Sequence, residues 1–190
     1  MPKPALAALA LFAVAAACSA DSDQPFAPPS MLEVAGDASP HFVRASAEGP
    51  DDFGNLQVLW KEAGLGASDL VEYLATANAT ALYACQNSSG NFPKDAKKRE
   101  VVGPVSGETG FASDRNGEIT GRVTLQPPDP VVPPDPVYPP DPCSRGQRLV
   151  LVQARYTDVV IADVTNGVSE PVPGTFCRTF FANAYPPEPC

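Results

Sequence analysis

Fifteen consecutive positions, Val71 to Cys85, alternate between apolar and polar residues. The odd positions are Val71, Tyr73, Ala75, Ala77, Ala79, Ala81, Tyr83 and Cys85. The even positions include Glu72, Thr76, Asn78 and Thr80, with Leu74, Leu82 and Ala84 as exceptions. A period of two buries one face and wets the other, as a strand in a sheet does. The alanines also suit a helix, but the threonines and asparagine do not, so the stretch is expected to be a strand.

Shorter runs repeat the pattern. His41–Ala47 alternates modestly, and Leu56, Val58 and Trp60 alternate with Gln57, Leu59 and Lys61. Leu149–Tyr156 is a dense apolar run, and Phe176–Phe181 is the last candidate strand. Asn116-Gly117 lies between Gly110–Ser113 and Ile119–Leu125, and Asn166-Gly167 follows Val159–Val164. Asn-Gly tolerates positive φ at both turn positions, so each pair is expected to close a hairpin. One helical turn is allowed at Asp69–Leu74. Eight or nine short strands predict an all-β fold, an antiparallel β-sandwich. Whether its strands pair as an immunoglobulin-like Greek key or otherwise is open at this stage.

Residues Pro127–Pro142 read PPDPVVPPDPVYPPDP, two copies of a six-residue unit and a truncated third, with nine prolines in 16 residues. Proline fixes φ and lacks the N–H donor, so this is no central strand. It is expected to be a polyproline II insertion between strands. As a ligand it suits an aromatic groove; as a bland feature it is a tolerated low-complexity loop.

Residues 1–17 read as a signal peptide. Lys3 precedes an uncharged run of 13 residues, Ala5–Ala17. A bilayer span needs about 20 residues, so the run fits a secretory h-region instead. It ends Ala15-Ala16-Ala17-Cys18, which resembles a bacterial lipobox apart from Ala15 where leucine is usual. Cys18 is therefore the expected lipidation site, anchoring the chain to a membrane, with residues 18–40 as a tether and 41–183 as the folded domain. Residues 184–190 form a C-terminal tail. The alternative is ordinary cleavage with Cys18 retained.

The cysteines agree with export. Cys18, Cys85, Cys143, Cys177 and Cys190 make five, an awkward number in an oxidising compartment. A lipid on Cys18 leaves four, which allow three disulfide pairings. The favoured one is Cys85–Cys143 with Cys177–Cys190, the second tying the tail to the strand before it. Zinc is disfavoured, because no Cys-x-x-Cys pair exists and His41 is far from every cysteine.

The net charge of −9 makes nucleic acid an improbable partner. No nucleophile elbow, zinc-binding helix, P-loop or dinucleotide fingerprint is present. No catalytic residue, metal ligand or cofactor is assigned. His41, the only histidine, reads as a surface residue. Asp114-Arg115-Asn116-Gly117-Glu118 lacks the spacing of a calcium loop and reads as a turn. Asn78-Ala79-Thr80 and Asn87-Ser88-Ser89 match the glycosylation triplet, which stays bare in a bacterial envelope. Lys94, Lys97, Lys98 and Arg99 form a basic cluster in what reads as a solvated loop. Trp60 reads as core, though exposure beside other aromatics would make a sugar platform.

Several segments in order resemble a group of uncharacterised secreted bacterial proteins. They are Lys61-Glu62-Ala63-Gly64-Leu65-Gly66, Tyr83-Ala84-Cys85-Gln86-Asn87-Ser88-Ser89-Gly90-Asn91, Asn116-Gly117-Glu118-Ile119-Thr120-Gly121, Tyr156-Thr157-Asp158-Val159, Thr165-Asn166-Gly167-Val168 and Pro173-Gly174-Thr175-Phe176. The resemblance covers about residues 41–181. It implies export, an all-β fold and a partner for Cys85 at Cys143; it implies no activity. The proline repeat, Cys177 and Cys190 depart from the group. The expected function is a non-catalytic envelope lipoprotein that binds a protein or cell-wall polymer. A carbohydrate-binding module is the alternative, and a glycan-acting enzyme a more distant one.

Overall fold

A computed structural model describes residues 39–94, 96–130, 143–181 and 189–190. The signal peptide, Cys18, most of the tether, residues 131–142 of the proline repeat and most of the tail lie outside the described residues.

Among the described residues, eight strands follow one another: β1 (His41–Glu48), β2 (Leu56–Ala63), β3 (Leu70–Asn87), β4 (Lys98–Ala112), β5 (Ile119–Leu125), β6 (Gln147–Asp163), β7 (Val168–Val172) and β8 (Phe176–Thr179). They form two antiparallel sheets packed as a sandwich. One has the order β1-β2-β5. The other has the order β4-β3-β6-β7, with β8 also paired to β6.

The alternation in β3 is the seam of this packing. Val71, Tyr73, Ala75, Ala77 and Ala79 face Leu56, Val58 and Trp60 of β2 and Ile119, Val123 and Leu125 of β5 in one buried core. Small alanines in the long strand leave room for a ring cluster at one end. Trp60 and Tyr73 have centroids 4.6 Å apart, and Phe111 meets Trp60 edge-on at 5.8 Å. At the other end β3 runs on past the shorter sheet. There Ala84 and Val152 are buried on its opposite face beneath Leu82, Phe92 and Phe181.

Four expectations need correction. Asn116-Gly117 does not close a hairpin, because β4 and β5 belong to different sheets. Its turn, with Gly117 N–H donating to Asp114 O at 3.1 Å, carries the chain across the sandwich. It lies beside the β2–β3 crossing, where Leu65 N–H donates to Gly117 O at 3.1 Å. The helical turn at Asp69–Leu74 is absent; the chain is extended from Leu70. Lys98 and Arg99 are not in a loop but open β4, a 15-residue edge strand. Gly103, Pro104, Gly107 and Gly110 hid that strand, and an edge tolerates such residues. Finally, Leu149–Tyr156 and Val159–Val164 belong largely to one strand, β6. A bulge separates them, with Asp158 at φ 53°. Ala154 and Tyr156 point into the core before the bulge, and Val159 and Ile161 after it. The extra residue reverses the parity.

Asn166-Gly167 does join paired strands, β6 and β7, within a four-residue loop between Asp163 and Val168. Both favoured disulfides are formed, Cys85–Cys143 and Cys177–Cys190.

Candidate functional site

A groove of about 730 Å³ lies where the β1–β2 loop meets the start of β6 and the end of β8. Local rules build each wall. In the loop, Asp51 Oδ1 accepts the backbone N–H of Phe53 at 2.8 Å and of Asn55 at 2.9 Å. These bonds outweigh partial burial and hold the Asp51 carboxyl below the usual range. The tight turn turns the Phe53 ring outward, leaving it 78% exposed. Behind it, the buried Tyr156 hydroxyl donates to Gly54 O at 2.7 Å, fixing the loop to β6.

The second wall is β8 and its continuation. Arg178 donates to Pro50 O at 3.1 Å and to Asp52 Oδ1 at 2.5 Å, and its guanidinium lies 5.3 Å from the Phe180 ring centre. Phe180 N–H donates to Val152 O at 2.8 Å, so the ladder continues past β8. The Cys177–Cys190 bond and the bond from Arg155 to Pro189 O hold the chain's last residues against the same edge.

Arg148 completes the groove and also lines a more polar cleft with Gln86, Asn87 and Gly146. It donates to Gln86 Oε1 at 3.2 Å. Arg148 and Arg178 place two guanidinium groups in this recess, with Asp52 paired to Arg178 and Asp51 close enough to feel its charge. Phe53, Phe180 and Phe181 supply apolar surface. The combination suits an extended ligand with acidic groups and flat apolar faces. Sequence reasoning passed over these residues. They come from three separate segments, with Asp52 lying 126 positions before Arg178, and no local pattern joins them.

The residues singled out from sequence stand elsewhere. His41 is exposed and bonded to Ser39 O at 2.8 Å. Trp60 is 1% exposed, which removes the sugar platform proposed for it. Asp114 Oδ1 accepts the N–H groups of Glu118 and Asn116, holding its carboxyl low as a turn cap. Asn78 donates to Asp158, and Asn87 caps its own turn through Ser89 and Asn91. The basic cluster straddles the β3–β4 connection and the start of β4.

A second polar constellation lies inside the core. Glu62 and Asp163 are both 0% exposed. Tyr73 donates to Glu62 Oε2 at 2.6 Å, while Glu62 Oε1 has no donor among the described residues. Burial, then the neighbouring Asp163, push Glu62 up to about 6, against the pull of the Tyr73 bond. Asp163 is satisfied by the N–H groups of Thr165 and Asn166 and by the Asn166 amide. Two carboxyls side by side are the raw material of a hydrolase, but this pair is sealed from solvent.

No family model, curated protein or solved structure matches this chain.

Proposed function

We propose that the chain is a non-catalytic envelope lipoprotein, anchored through Cys18, that uses the Phe53–Arg178 groove to bind a protein or cell-wall polymer outside the cytoplasm. The single observation that carries the reading is that groove. A large ring is held outward by a capped turn, beside two arginines and the half-buried Phe180 and Phe181, on a fold whose Trp60, Tyr73 and Tyr156 pack inward. The signal-like N-terminus supports export, and the two disulfides are consistent with an oxidising compartment. The resemblance to secreted bacterial proteins points the same way.

The carbohydrate reading loses the residue it was built on, since Trp60 is buried. The glycan-hydrolase reading needs two acids in a cleft, and Glu62 and Asp163 do not reach one.

The test places a photo-crosslinking residue at position 53 of the full chain in the producing bacterium. Adducts to a partner that vanish on Arg178→Gln support the reading. No adduct, or adducts indifferent to Arg178, overturn it.

A further inference from the structure

We propose that the groove's occupant is residues 131–142 of the proline repeat of a second copy of this chain, so that copies associate through repeat and groove. The inference rests on the groove being a binding site.

Three observations lead to it. The first is chemical complementarity. The repeat places Asp135 and Asp141 among prolines and Tyr138. The groove sets Arg148 and Arg178 among Phe53, Phe180 and Phe181. Aromatic-lined grooves bind proline-rich segments because proline has already lost the conformational freedom that docking would remove. Arginine recognises the intervening carboxylates.

The second is attachment. The two described flanks of the repeat are held on neighbouring positions of one strand. Tyr83 donates to Pro128 O at 2.9 Å, and Cys143 is bonded to Cys85. Tyr83 and Cys85 share a face of β3, about 7 Å apart at the usual rise. The repeat is thus tethered by both ends to a rigid sheet, which lowers the entropic cost of presenting it to a partner.

The third is the arithmetic of charge. Two copies of an acidic chain repel one another. The guanidinium groups of Arg148 and Arg178 are where an acidic segment of another copy can turn that repulsion into attraction. One repeat in one groove leaves a groove and a repeat unused, so the contact closes as a reciprocal dimer or extends as a chain.

The test uses the mature full-length chain with its disulfides intact and a labelled peptide VVPPDPVYPPDP. Sedimentation of the parent is expected to show larger species as concentration rises, reversed by excess peptide and weakened by salt. A variant lacking 131–142 is expected to stay monomeric and still bind the peptide. Phe53→Ala, at an exposed ring, is expected to abolish peptide binding with an unchanged melting temperature. Asp52→Asn frees Arg178 from its competing carboxylate and is expected to tighten binding. A peptide with both aspartates changed to asparagine is expected to bind about tenfold more weakly.

A folded deletion variant that ignores the peptide overturns the proposal. So does peptide binding indifferent to Phe53, or a parent monomeric at every concentration whose deletion variant alone binds peptide, since the repeat then fills its own groove. If the peptide fails while crosslinks at position 53 reach another molecule, the groove reading stands and this inference falls. If both fail, both fall.

Discussion

The Tyr73 hydroxyl donates a 2.6 Å hydrogen bond to Glu62 Oε2 in a core that closes both side chains off from water. The bond steadies the carboxylate but does not offset its burial beside Asp163, and Glu62 is pushed from 4.5 up to about 6. The folded protein therefore binds this proton more tightly than the unfolded chain does. Its contribution to stability is complete below about pH 4.5 and is lost as pH rises through about 6. The loss is about 2 kcal/mol. Glu62→Gln is expected to remove this fall, so that urea unfolding at pH 8 shows the variant more stable than the parent and at pH 4 nearly equal. Parallel pH curves for the two proteins would show that Glu62 is not the titrating group.

Two surface carboxyls work in the opposite sense. Asp114 is held below the ordinary range by the backbone N–H groups of Glu118 and Asn116, and Asp158 by the Asn78 amide and the Thr157 hydroxyl. Their stabilisation is present above the unfolded value of 3.8 and is lost as pH falls below it. Replacing both by asparagine is expected to flatten the acid limb of the stability profile and leave the Glu62 limb intact. An unchanged acid limb would assign acid unfolding to other groups.

Much of this fold was legible because a strand's period is two. β3 and β2 each bury one parity, so their faces follow from the spacing of Val71–Cys85 and Leu56–Trp60. That parity also carries on to Glu62, and a carboxylate in register with Leu56, Val58 and Trp60 is a readable sign of a buried acid. β4 was illegible because its glycines and proline obey an edge strand's tolerance. β6 was read in two pieces because the Asp158 bulge reverses its parity. The groove was illegible for a different reason. Asp52, Arg148 and Arg178 lie far apart in sequence and meet only after two sheets have packed and β8 has found the edge of β6.

The Tyr156 hydroxyl joins that packing to the groove. It is 0% exposed and donates to Gly54 O at 2.7 Å. Tyr156→Phe leaves the Gly54 carbonyl without that donor in a buried setting, and is expected to cost about 1–2 kcal/mol. Because Gly54 follows Phe53, the same variant is expected to speed amide exchange in the β1–β2 loop. A stability loss without faster loop exchange would mean that the bond supports the core but not the groove.

The two disulfides close loops of different length. Cys85–Cys143 spans 58 positions and Cys177–Cys190 spans 13. Restricting the unfolded chain is worth about 4 kcal/mol for the first and about 3 kcal/mol for the second in the chain-entropy picture. Paired cysteine-to-alanine variants are expected to lose stability in that order in urea. The reverse order would place the tail's attachment, with its bond from Arg155 to Pro189 O, above loop entropy.

Gly103 and Gly107 lie on the same face of β4, four residues apart, and opposite Ala79 and Ala75 of β3. Sheet overlap separates them. A Cβ on Gly107 would stand 2.6 Å from the backbone oxygen of Thr124 in β5, which cannot yield without moving the facing sheet. A Cβ on Gly103 would meet nothing within 4 Å. Gly107→Ala is therefore expected to destabilise by about 1–3 kcal/mol through overpacking. Gly103→Ala is expected to stabilise by about 0.5–1 kcal/mol, because alanine has less backbone entropy to lose in an extended strand. Thermal unfolding of the two variants reads the difference directly. Equal effects would mean that the shorter sheet does not end where the packing of β5 on β4 puts it, between these two glycines.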